Sequence, residues 1–288
     1  MRFVRPAQEC YNCLIGLIRK TAELATSDPE RRAHAVREGL AILDRDFARG
    51  RVPTQIAGEA QRVVREITGN PDPFRTVKDR EMAVAARLIT DLQARFAGDL
   101  AGLMRLAVLG NAVDFFRELD EAELARPAKL YRDEVSAFEQ RLDGARQVLY
   151  LADNAGELYF DYPLFRYLAG RTSVTYVVKD GPVQNDLTAD DISRAGFAPQ
   201  MPNIITTGTD TPGVDLELVS PGFRNAFDQA DLILAKGMGN YETLSEMAAG
   251  HRVFFLLMAK CDPVARSLGV PRDSFVAAFG GKGGRPDA

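Results

Sequence analysis

In the first half of the chain, apolar residues return every three or four positions with charges between them. That is the pattern of helices burying one stripe, and it predicts helices over residues 10–25, 31–48, 54–68, 77–96, 100–116 and 128–142. The breaks agree with it. Ser27-Asp28-Pro29 offers a cap followed by a helix-starting proline, and Asn70-Pro71-Asp72-Pro73 can continue no helix. Near Gln147 the period changes. Short apolar, β-rich runs at 147–152, 173–178, 203–206, 232–235 and 253–258 alternate with segments of helical character at 158–169, 189–195, 221–229, 241–249 and 263–268. Strand and helix in alternation mean a parallel sheet covered on both faces, and right-handed crossovers restrict it to a doubly wound, Rossmann-like arrangement. The expected fold is therefore α/β: an all-helical domain over 1–144, a Rossmann-like domain with a mostly parallel sheet over 145–279, and a Gly-rich disordered tail over 280–288. No internal repeat is visible.

Charge and composition narrow the function. With 36 Lys+Arg against 40 Asp+Glu in 288 residues, the net charge of −4 lacks the basic excess of a nucleic-acid binder. Hydrophobic residues at 46% and charged ones at 26% are ordinary globular usage. No apolar run approaches the roughly 20 residues that cross a bilayer, and no signal core follows Met1–Gln8, so the expectation is a soluble, cytoplasmic protein. Three cysteines, Cys10, Cys13 and Cys261, fit a reducing compartment better than a disulfide framework. Only His34 and His251 are present, which weighs against His-based zinc hydrolases and Ser-His-Asp triads.

In a doubly wound sheet the ligand lies beyond the carboxyl ends of the strands, and polar residues accumulate there. The first strand runs into Asp153-Asn154-Ala155-Gly156-Glu157, the second into Lys179 and then Gly181 to Asp186, the fourth into Lys236-Gly237-Met238-Gly239-Asn240. Asp153 and Asn154 have two readings. They cap the following helix, or with Asp186 they supply oxygens to a hard cation such as Mg²⁺ or Mn²⁺. Lys236 before Gly237 and Gly239 is either a surface lysine at a glycine turn or the charge of a phosphate cradle. Cys10 and Cys13, spaced i,i+3 on a helix, lack the further ligands of a zinc site. Cys261 can join them only if the helical domain folds over the sheet edge.

With these motifs assembled, the chain resembles the metal-dependent damage-control phosphatases of the ARMT-like family, in the branch with an N-terminal CxxC. The resemblance rests, in order, on Cys10 to Cys13, Asp72-Pro73-Phe74 before Lys78, Gly110-Asn111 to Asp114, Asp153 to Glu157, Gly181 to Asp186, and Lys236 to Glu242. It implies a divalent ion (Mn²⁺, Mg²⁺, Co²⁺ or Ni²⁺) on Asp153, Asn154 and Asp186, and hydrolysis of small phosphate monoesters such as sugar phosphates or damaged phosphometabolites. Lys236 corresponds to a phosphate-contacting lysine. Glu157, Asn185, Asn240 and Glu242 occupy motif positions, and Gly237 and Gly239 amides hold phosphate oxygens. Asn111 and Asp114 either contribute to the sugar pocket or are a polar interruption between helices. Attack by metal-activated water is preferred to an aspartyl-phosphate on Asp153, because Ala155 stands where such hydrolases carry a second aspartate. Two other classes compete: a Rossmann-type S-adenosylmethionine-dependent methyltransferase, for which Asp153-Asn154-Ala155-Gly156 is a poor glycine loop, and a non-catalytic binder of phosphometabolites.

Overall fold

The computed structural model describes residues 6–96, 98–112, 128–245 and 251–280. Five helices come first: α1 (Gln8–Ala25), α2 (Pro29–Phe47), α3 (Pro53–Thr68), α4 (Arg75–Gln93) and α5 (Leu100–Leu109), the last running into a 3₁₀ turn at Gly110–Ala112. Their starts follow the chain's punctuation. Asp28 accepts from the Glu30 and Arg31 N–H groups ahead of Pro29, and Asp99 accepts from Gly102 N–H.

After these come β1 (Leu130–Asp133), α6 (Val135–Leu142), β2 (Gln147–Leu151), α7 (Leu158–Ala169), β3 (Ser173–Val178), α8 (Ala189–Arg194), β4 (Ile204–Thr206), α9 (Pro221–Gln229), β5 (Leu232–Lys236), α10 (Gly237–Leu244), β6 (Val253–Met258), α11 (Asp262–Leu268) and β7 (Phe275–Phe279). The seven strands form one sheet in the order β1-β7-β6-β5-β2-β3-β4, parallel except where β7 runs antiparallel to β6. The α/β, doubly wound reading is what the structure shows. Two differences stand out. Residues 130–133, within a stretch expected to be helical, form edge strand β1, in which only Leu130 is buried. Strand β7 is absent from the sequence pattern, because Phe-Val-Ala-Ala-Phe is short and its alanines carry little β signal. Residues 113–116 and 246–249 of two expected helices, Asp114, and the tail from 281 lie outside the described residues.

The sheet is buried on both faces. Val148, Tyr150, Tyr176, Leu232, Leu234 and Phe254 pack with α4 to α7, while Leu149, Val177, Ile233, Phe255 and Leu257 pack under α9 to α11. A third core joins α1, α2, α3 and the start of α4. The chain passes from β2 outward through β3 to β4 and then returns to the other side of β2 as β5, with Leu151 beside Ala235. The carboxyl ends of β2 and β5 are therefore the switch point where such sheets open a crevice.

The helical layer also grips the β3–α8 segment. Lys78, only 1% exposed, is salt-bridged to Asp72 at 2.8 Å and to the fully buried Asp191 at 3.1 Å. Removing one partner of a buried pair leaves an uncompensated charge, so Lys78→Met is expected to lower unfolding stability by about 3–5 kcal/mol. Urea denaturation measures this; a loss under about 1 kcal/mol would show that the pair contributes little.

Candidate functional site

The β2–α7 and β3–α8 connections are stitched together by backbone hydrogen bonds. Leu187 N–H donates to Asp153 O at 2.8 Å, Ala155 N–H donates to Asn185 O at 2.8 Å, and Asn154 and Asp186 form an isolated antiparallel bridge. Asp153, Asn154 and Asp186 are thus brought to one place from two distant stretches of the chain. The capping alternative for the first two is not what the structure has: no side chain caps the 3₁₀ turn Ala155–Glu157 or the start of α7.

The helical layer holds the second connection in shape. Gln184 sits in the left-handed region at φ 45°, a strained position for a non-glycine residue, and its N–H is taken by Gln61 Oε1 of α3 at 3.0 Å. Arg65 donates to Pro182 O and to Asp210, while Asn185 Nδ2 donates to both Glu81 oxygens of α4 at 3.0 and 3.1 Å. Gln61, Arg65 and Glu81 carry no motif signal. Each reads in sequence as the polar face of an amphipathic helix.

Asp153 is partly exposed, and its carboxylate makes no hydrogen bond or salt bridge among the described residues. Burial, and then the neighbouring Glu157 and Asp186 carboxylates, push its pKa well above the usual carboxylate range, with Lys260 the foremost cation opposing them. Asp186 is raised to about 6, first by burial and also by Glu157, against the pull of Lys179 and Lys78. Gly237, the first residue of α10, closes the site just beyond β5. At φ +74°, a Cβ there would lie 1.7 Å from Asp153 Oδ2, so only glycine fits. Lys260, partly exposed after β6, belongs to no motif read in the sequence; its place just beyond a strand end is the one signal that marks it.

Other expected site residues occupy the scaffold rather than an open face. Lys236 is fully buried, and Nζ donates to Ala107 O at 2.9 Å, to Glu157 Oε2 at 2.7 Å and to Asp161. This corrects the expectation of a phosphate-contacting ammonium, because all three of its protons are already used. Burial pulls its pKa down, but Asp161 and Glu157 outweigh that and raise it. Asn111, 1% exposed, donates to Glu157 and accepts from Met258 N–H at 3.1 Å. Asn240 Nδ2 donates to Ala152 O and Lys236 O, leaving its buried Oδ1 without a partner among the described residues. Gly239 packs through its carbonyl against Gly213.

The helical layer does fold over the sheet edge at the cysteines: Glu9 Oε1 accepts from Asp262 N–H at 3.4 Å, beside Cys261. The three thiols are free, and burial, with Glu242 and Glu9, pushes them up, Cys261 to about 12. They stay protonated at neutral pH, unlike reactive thiolates. Among the described residues no three His, Cys, Asp or Glu side chains form a metal-holding group, and no helix is long and apolar enough to cross a membrane.

The switch point of this doubly wound sheet gathers the Asp153, Asn154 and Asp186 side chains in one crevice, and the comparisons with known proteins give the family. The damage-control phosphatase ARMT1-like domain matches residues 7–276, and the chain belongs to that family. It is 35% identical over 276 residues to a damage-control phosphatase of Pyrococcus horikoshii, covering 93% of this chain and 96% of that protein. It is 30% identical to a damage-control phosphatase of Archaeoglobus fulgidus, covering 93% and 96%. The crystal structure of a DUF89 family protein from P. horikoshii superposes with a TM-score of 0.88 at 33% identity, covering 96% of this chain and 99% of that one. A phosphatase family, not a methyltransferase one, is what the chain matches.

Glu242, half-buried beside the thiols, is raised to about 7 by burial. A carboxyl with a raised folded-state pKa disfavours folding once ionised, so the cost is absent below about pH 4 and complete above about pH 8. Glu242→Gln is therefore expected to stabilise the protein at pH 8, by about 1–3 kcal/mol, and to be neutral at pH 4. Thermal unfolding at the two pH values measures it, and equal shifts at both would contradict the assignment.

Proposed function

We propose that the protein hydrolyses small phosphate monoesters, sugar phosphates or damaged phosphometabolites, with a divalent cation held by Asp153, Asn154 and Asp186. The observation that carries this reading is the Asp153 carboxylate, unpartnered among the described residues and crowded by Glu157 and Asp186. Carboxylates gathered this way are unfavourable until a cation joins them. Two carboxylates and one amide are hard oxygen donors, suited to Mg²⁺, Mn²⁺, Co²⁺ or Ni²⁺, and three protein ligands leave positions for water and substrate. When bound, such an ion neutralises phosphoryl charge and acidifies a water.

The remaining work belongs to the chain. Lys260, the foremost positive neighbour of Asp153, attracts the phosphoryl oxygens. The first N–H groups of α10, at Gly237 to Gly239, have no side-chain cap and are donors for the same anion. Lys179 stands 3.7 Å from Asp186 and donates to Gly213 O, keeping the β3 end in place.

A screen over sugar and nucleotide phosphates with each of the four metals is expected to find metal-dependent phosphate release. Asp153→Ala and Asp186→Ala should lower it at least about 100-fold, with circular dichroism unchanged. Gly237→Ala should do the same, since its methyl displaces the Asp153 carboxylate. Stabilisation by sugar phosphates with no release under any metal would favour the non-catalytic binder; an Asp153→Ala variant as active as wild type would end the reading.

A further inference from the structure

Lys236 lies one residue before the glycine that touches Asp153, yet its side chain turns inward. The strand's period of two explains why: Lys236 falls on the face of Leu232 and Leu234, which packs against α5 and α7. There it meets Glu157, whose two oxygens divide their duties. Oε2 accepts from Lys236 at 2.7 Å and from Asn111, while Oε1 accepts from Asn154 Nδ2 at 3.2 Å. Lys236, Asn111 and Glu157 are each at most 1% exposed, and Asn154 is 7%. Bulk water is kept from these contacts.

Paired with Lys236, the Glu157 carboxylate offers only acceptors, so the Asn154 amide must face it with Nδ2. A planar amide fixed by its nitrogen presents its oxygen on the other side. We propose that Glu157, anchored by Lys236, is a positioning residue: it orients Asn154 so that Oδ1 is offered beside Asp153 and Asp186. Lys236 then governs cation affinity without touching cation or phosphate. The inference rests on the cation site proposed above and assigns its support. Such outer partners of a ligand change metal affinity by about 10–100-fold when altered.

Glu157→Gln tests this while keeping size and shape. Lys236 and Asn111 both donate, so the new amide oxygen must face them and its NH₂ must face Asn154. Asn154 would then have to turn Oδ1 inward and point its own NH₂ at the cation. Mn²⁺ titrated calorimetrically into the substrate-free protein is expected to bind Glu157→Gln at least about tenfold more weakly than wild type. Competitive inhibition by inorganic phosphate at saturating Mn²⁺ should stay as in wild type. Adding Asn154→Asp should restore Mn²⁺ affinity, because one carboxylate oxygen can accept from the introduced NH₂ while the other faces the ion. Lys236→Met should weaken Mn²⁺ binding in the same direction; should it not fold, the isosteric Glu157→Gln variant, alone and with Asn154→Asp, still decides. Wild-type Mn²⁺ affinity in Glu157→Gln, or a double variant no better than the single one, would overturn the proposal. So would a Lys236→Met protein that binds Mn²⁺ normally but phosphate poorly. If Asp186→Ala also leaves Mn²⁺ binding unchanged, the cation site itself fails, and this inference fails with it.

Discussion

Everything at the sheet edge depends on two backbone hydrogen bonds that tie the β2 and β3 connections together, Leu187 N–H to Asp153 O and Ala155 N–H to Asn185 O. They force two acidic loops side by side, with Asp186 close enough to raise the proton affinity of Asp153. That repulsion is tolerable only in a frame stiff enough to resist it, and stiffness comes from both sides. Below, β2 and β5 are buried neighbours in the middle of a seven-stranded sheet. Above, α3 and α4 hold the Gly181–Asp186 stretch through Gln61, Arg65 and Glu81.

This division of labour gives the helical layer a purpose beyond covering the sheet. The strained Gln184 and the buried Asn185 would lose these partners without it, and a loop left to itself would relax away from Asn154. Positively charged groups are likewise separated by depth. Lys236 serves the interior, balancing Glu157 and Asp161, whereas Lys260 is partly exposed just beyond β6. A buried lysine with three acceptors is a rigid part of the interior.

Much of this is legible in the sequence. Near-continuous apolar runs, such as Val253–Met258 and most of Ser173–Val178, announce a parallel sheet because such strands are buried on both faces. Asp153-Asn154 and Asp186 are visible because polar residues at strand ends have few structural reasons to cluster. What stays hidden depends on direction and distance. The sequence order puts Lys236 beside a glycine turn, but only strand parity and the acid at Asp161, set among apolar residues of α7, point its side chain inward. Strand β1, with one buried residue in four, carries too little pattern to be told from a helix start. Glu81 and Asn185 meet across 104 positions, and nothing local marks such a pair.

A crystal structure of the protein grown with Mn²⁺, with the ion located by its anomalous scattering, would test directly whether Asp153, Asn154 and Asp186 hold a cation. A single strong peak is expected in contact with Asp153, Asp186 and the Asn154 side-chain oxygen, with the Asn154 nitrogen still on Glu157. A peak elsewhere, or an Asn154 amide turned the other way, would contradict it.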